Sequence, residues 1–367
     1  MWIPELEGLR GFASLWVFFG HVCILAQCHI PILGSPSYGV DMFILLSGFL
    51  MAKNYMERER EEPWNSLRTA HNFWIRRFFR IAPLYYVLLF VALYIGPDIG
   101  GMRAVIGSVD PSSTIDLTKF YDQTLTNTLI HMSLLFGFFP YYSANTALPD
   151  WSISLEFQYY FLFPLIMFFA LKFGFRIVLV SLAIISSLLF FVFPGFYMAF
   201  SLPSFIFLKL PIFIAGMFIY SAIHSRRLSD LCIALSVITF STITGLHINV
   251  VQFLIQFIMC LMIFYIASDY NQGNYLKNKF KWIFNNKLSL FLGDVSYSVY
   301  LIHLLIVIPV AAYFISHYSV QYDVPLLRFF KVLIVSIPIV YFLSVLTYLF
   351  IERPGVKFGK RFINKVR

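Results

Sequence analysis

Apolar residues run through this 367-residue chain in long blocks, without the short alternating or amphipathic patterns of a soluble core. A bilayer core of about 30 Å takes roughly 20 helical residues. Ten stretches approach that length: 9–29, 38–53, 73–96, 152–171, 177–193, 204–222, 229–245, 250–268, 290–315 and 332–351. The second is short enough to lie partly in the interface. Such runs cross lipid as helices, which satisfy their own backbone hydrogen bonds. The expected fold class is therefore all-α, a polytopic integral membrane protein of about ten transmembrane helices. Residues 124–140, TLTNTLIHMSLLFGFFP, are also apolar, but counting them as a span would invert every later loop. They are read as interfacial or re-entrant.

Charge fixes the orientation. Basic residues near span ends stay on the cytoplasmic side. With both termini cytoplasmic, that side holds Arg10, Lys53, Arg58, Arg60, Arg68, Arg76, Arg77, Arg80, Lys172, Arg176, Arg226 and Arg227. It also holds Lys277, Lys279, Lys281, Lys287, Arg353, Lys357, Lys360, Arg361, Lys365 and Arg367, which makes 22 of the 27 basic residues. Arg103, Lys119, Lys209, Arg328 and Lys331 are the exceptions. The outer segment 97–150 carries Asp98, Asp110, Asp116, Asp122 and Asp150. The net charge of +9 is thus mainly a topology signal, and no nucleic-acid partner is read from it.

Composition agrees with lipid as solvent: 59% hydrophobic and 12% charged residues, against about 45–50% and 25% in soluble domains. The four cysteines form no CxxC pair, so no metal site or disulfide framework is expected. The N-terminus places Glu5 and Glu7 before its first apolar run and lacks the basic start of a cleavable signal, so the first span is expected to remain. HExxH, GxSxG and P-loop patterns are absent, and no internal repeat is visible.

Ionisable groups inside lipid are expensive, which makes each a candidate for function. Arg10 and His21 are eleven residues apart, about three helical turns and 16 Å, so they share one face. Arg10 suits an anionic group at the inner mouth, and His21 a general base or nucleophile near mid-membrane. The plainer alternative is an anchor and a packing histidine. Arg77 and Arg80, in FWIRRFFRIAP, point the same way and can fork a phosphate, although inner-end arginines are commonly anchors. Asp41 opens the second span, where it is either a cap or an acid of the site. Trp151, Ser152 and Glu156, in DWSISLEF, open the fourth span, with Glu156 more than a turn inside. In SYSVYLIH, Ser296, Tyr300 and His303 share a face, as a site or as polar glue between helices. The remaining histidines, including His131 and His247, fall in or near loops or interfaces. By depth, arginines mark the inner mouth, histidines the middle and acids the outer side.

These blocks, ELEGLRGFASLWVFFGHV, GVDMFILLSGFL, RRFFRIAP, WSISLE, SYSVYLIH and FIERP, resemble in identity and order the acyltransferase-3 family of bacterial membrane acyltransferases. The resemblance implies an Arg-x10-His motif at Arg10 and His21, with His21 the essential histidine, and an Arg-x-x-Arg motif at Arg77 and Arg80 that helps hold acetyl-CoA. It implies a multi-pass protein of the bacterial inner membrane that passes an acetyl group from cytoplasmic acetyl-CoA, without a metal, to a sugar hydroxyl of a lipopolysaccharide, capsule or other lipid-linked glycan. Asp41 and Glu156 join His21 as candidate catalytic residues, with Trp151, Ser152, Tyr297, Tyr300, His303, Glu352 and Arg353 in support. Residues 1–352 are expected to form the membrane-embedded acyltransferase domain and 353–367 a basic cytoplasmic tail, a stand-alone membrane form. The rival class is a transporter or flippase, in which the same buried His, Asp and Glu would line a solute path.

Overall fold

A computed structural model describes residues 3–109, 116–244, 250–268 and 274–365. Asp110, His247 and Arg367 lie outside them. The described residues form helices, turns and loops only.

Eight helices are long and apolar enough to cross a membrane. They are α1 (Pro4–Leu25), α3 (Leu67–Val109), α5 (Trp151–Phe173), α6 (Phe175–Val192), α8 (Ile206–Ser225), α10 (Val250–Ala267), α13 (Ser296–Tyr318) and α14 (Pro325–Thr347) with its continuation. The other two expected spans are also helical. α2 (Pro36–Arg58) is long, but it carries Asp41 and ends in Lys53, Glu57 and Arg58, which dilute its hydropathy. α9 (Leu228–Thr244) has 17 residues. The expected span 290–315 is broken at Val295 into α12 (Lys287–Asp294) and α13. Asn286 caps α12 by accepting from the Ser289 N–H, so the chain starts a short helix there before turning into the bundle. Within 124–140 the only α-helix is α4 (Leu125–Met132), whose eight residues are too few to cross.

α1 packs against α2, α12 and α13, and α2 against α8. Without water to drive burial, helices in lipid associate through close packing at small residues. Gly48 of α2 and Gly216 of α8 do this: a side chain on Gly48 would run into the Phe213 carbonyl, and one on Gly216 into that of Leu45. α8 is consequently buried along nearly its whole length. α14 passes through one π turn, Tyr348–Glu352, into α15 (Arg353–Lys365), and α15 packs on α3. Residues 353–365 of the expected tail are thus helical and packed on α3.

Candidate functional site

Three cavities are lined in part by residues of α1. The first, about 620 Å³, opens where α1, α3, α12 and α15 meet. Arg10, Arg58, Arg76, Arg77, Arg80, Arg353, Lys357 and Lys360 line it against Glu7, Glu62, Asp294 and Glu352. The second, about 50 Å³, shares Arg10 and adds Ser47, Ser152, Glu156, Tyr159, Tyr297 and Tyr300. The third, about 220 Å³, lies beyond and holds His21, Arg103, Lys119, Asp150 and Trp151.

The arginines of the first cavity are not equivalent. Both oxygens of Glu62 accept from Arg76, each at 2.8 Å, so its charge is matched. The Arg77 guanidinium carbon is 5.4 Å from the centre of the Phe73 ring and 5.0 Å from that of Tyr160, two rings that stand perpendicular to each other. Both ring faces attract its positive charge and help to hold the guanidinium at the cavity wall. Arg10 pairs with Glu7 at 3.2 Å one turn earlier on α1. Glu352 is carried in by the π turn, a device frequent at functional sites, and accepts from Ser298 at 3.0 Å.

Glu156 accepts from Ser47 at 3.4 Å and from the Tyr160 hydroxyl, and it lies within electrostatic range of Arg77 and Arg80. The acid expected at the outer side therefore shares a cavity with Arg10. Tyr297 donates to the Ile81 carbonyl at 2.8 Å, which ties α13 to α3. Tyr300 donates to the Pro149 carbonyl at 2.8 Å, so its oxygen is left to accept from Ser152 at 2.6 Å.

The two histidines expected at equal depth meet. His303 is fully buried, and its Nδ1 lies 3.1 Å from the Val299 carbonyl. A carbonyl only accepts, so Nδ1 carries the proton, and the Nε2 of neutral His303 is an acceptor. That Nε2 is 3.0 Å from Nδ1 of His21, which is also 3.0 Å from the Val17 carbonyl. Both neighbours accept, so His21 holds its proton on Nδ1. Its Nε2 is left as a lone pair, on a ring that lines the third cavity.

Asp41 lies elsewhere. Its Oδ1 accepts from Lys209 of α8 at 2.7 Å, and its Oδ2 from Gln252 and Gln256 of α10, both at 2.7 Å. The group is buried, and Asp41 lines none of the three cavities.

Sequence reasoning passed over Arg103, Lys119, Asp150 and His131. The signal for the first two was present, since both are exceptions to the charge asymmetry. Burial lowers the Lys119 pKa and raises that of Asp150, as expected for charges in a partly dry cavity. His131 is fully buried within the protein, its ring stacked 4.3 Å from that of Phe136 and its Nε2 3.8 Å from Asp150. No cluster of three or more His, Cys, Asp or Glu able to hold a metal ion occurs among the described residues.

Comparison with known proteins gives this geometry a context. Residues 3–345 match the family model described as an acyltransferase domain. Acyltransferase MdmB of Streptomyces mycarofaciens is 32% identical over 173 residues, covering 44% of this chain and 38% of that protein. A Staphylococcus aureus (strain COL) protein named as an inferred O-acetyltransferase is 24% identical over 409 residues, covering 99% of this chain and 59% of that one. Peptidoglycan O-acetyltransferase OatA of Listeria monocytogenes is 26% identical over 175 residues, covering 47% of this chain and 25% of OatA. The chain thus spans less than two thirds of the length of each of these relatives. No solved structure matches it. The match to nearly the whole chain shows that this protein belongs to the acyltransferase-3 family and carries a multi-helix membrane acyltransferase domain.

Proposed function

We propose that the protein is an O-acetyltransferase of the bacterial inner membrane. It takes the acetyl group of acetyl-CoA from the cytoplasmic side and passes it to a hydroxyl of a sugar in a cell-surface polysaccharide or lipid-linked glycan. Both termini are cytoplasmic in this reading, since the arginine-rich first cavity would then face the donor. The observation that carries it is the His21–His303 pair, with the Nε2 lone pair of His21 on the third cavity and the basic first cavity at the other end of the same helix face.

Arg10, Arg77 and Arg80 hold the donor phosphates, because a fixed guanidinium fork matches phosphate oxygens. The thioester reaches past Glu156 and Tyr300 toward His21. The acceptor hydroxyl enters the third cavity and attacks the thioester carbonyl while His21 Nε2 removes its proton. The C–O bond forms, the C–S bond breaks, and the imidazolium returns the proton to the departing thiolate. The same lone pair serves if the ring carries the acetyl group transiently. His303 is a positioning residue: it fixes the His21 tautomer and accepts from the imidazolium. Ser152 lines the second cavity and Trp151, its neighbour in the chain, the third. Glu352 and Arg353 finish the donor mouth.

Purified protein given labelled acetyl-CoA should release CoA slowly alone and faster with a glycan acceptor. A transporter of the same architecture would leave the thioester intact.

A further inference from the structure

Residues 353–365 lie beyond the family match, which ends at residue 345, yet they build a wall of the first cavity. Arg353, Lys357 and Lys360 stand at i, i+4 and i+7 of α15, within about 60° of arc on one helical face. All three are exposed and line the cavity mouth. Among the described residues no ion pair or hydrogen bond engages Lys357 or Lys360. The opposite face is clamped on α3. A Cβ on Gly355 would meet the ring of Pro83 at 2.8 Å, and one on Gly359 would meet Phe79 Cβ at 2.7 Å. Phe358 packs on Phe79 with ring centres 5.1 Å apart. α15 is therefore packed closely on α3 at both glycines, with its lysines turned over the opening.

The positions sort along the cavity. Arg10 belongs to both the first and second cavities, so it stands at the inner end, toward His21. Lys357 also lines the exposed groove between α3 and α15, so it stands at the outer end. A CoA thioester is likewise ordered: the acyl sulfur at one end, a pyrophosphate in the middle, and a ribose 3′-phosphate at the far end. With the thioester at His21 and the pyrophosphate on the arginines, the 3′-phosphate falls at the mouth.

We infer that Lys357 and Lys360 of α15 form a subsite for the ribose 3′-phosphate of the CoA donor, outside the arginine motif, and make this helix a part of donor recognition. The inference rests on acetyl-CoA being the donor. Ammonium groups act as mobile point charges on a phosphate, and at an exposed mouth two of them together should be worth about a tenfold effect.

The test compares acetyl-CoA with acetyl-dephospho-CoA, which lacks only that phosphate, on the purified full chain and its Lys357→Gln/Lys360→Gln variant. The wild-type protein should prefer acetyl-CoA in kcat/KM. The variant should lose about tenfold on acetyl-CoA and little on the dephospho donor, so the preference collapses; turnover of the dephospho donor reports that the variant is folded. Equal losses on both donors would overturn the subsite, as would a loss restored by anionic lipid, which would make α15 a surface-binding helix. An unchanged preference in the variant would overturn it too. A wild-type protein that turns over neither donor would overturn the donor reading itself, and this subsite with it.

Discussion

Replacing His303 separates the chemistry of the histidine pair from its packing. Its Nε2 accepts the hydrogen bond from His21 Nδ1 at 3.0 Å, in a fully buried position. When His21 takes the acceptor proton, that bond becomes one from a charged donor. A hydrogen bond to a charged group contributes about 1.5–3 kcal/mol. At about 1.4 kcal/mol per decade this is a loss of roughly 10- to 150-fold in kcat. His303→Phe keeps a ring of similar bulk beside Phe18 and has no acceptor, so it should show the full loss with little change in KM for acetyl-CoA. His303→Gln offers an amide oxygen and should recover part of it. In a His21→Ala background, His303→Phe should cost nothing more, because the two act as a unit. The assay is acetyl transfer to a glycan acceptor at saturating donor. Wild-type kcat in His303→Phe, or a well-folded His303→Gln as slow as His303→Phe, would refute the tautomer argument.

Two further substitutions test the division between site and scaffold. Arg77→Lys keeps the charge but loses the planar fork and its cation–π contacts with Phe73 and Tyr160. Cation–π contacts worth about 0.5–2 kcal/mol put the rise in KM for acetyl-CoA at about 2- to 30-fold, and an unchanged KM would remove Arg77 from donor binding. Asp41→Asn leaves Lys209 without its counter-charge in the interior, a loss of about 3–5 kcal/mol, so the melting temperature should fall, and adding Lys209→Met should restore most of it. A fall in kcat with an unchanged melting temperature would instead return Asp41 to the chemistry.

The helical architecture was legible because lipid leaves its mark on every span, and the motif residues because charge in lipid is rare enough to count. Arg10 and His21 needed only the period of one helix to be placed on a common face. Partners from other helices were beyond such reasoning. Asp41 reads as a lone acid until Lys209, 168 residues away, is seen on it, and Arg76 looks equal to Arg77 until Glu62 is seen holding it. Spacing also missed His131, since a short helix folded against α3 hides a side chain that its apolar neighbours made look interfacial. The break at Val295 was likewise invisible, because Asp294 alone does not interrupt a hydropathy run. The basic end of the chain read as a tail on charge alone. Only the fit of Gly355 and Gly359 against α3 makes it a wall.

The most direct test of the account is mass spectrometry of surface glycans from cells carrying either the wild-type chain or His21→Ala at equal abundance in the membrane. Wild-type cells should gain acetyl groups on one class of sugar, and His21→Ala cells should lack them altogether. Undiminished acetylation in the variant would contradict the claim that the imidazole of His21 carries out the transfer.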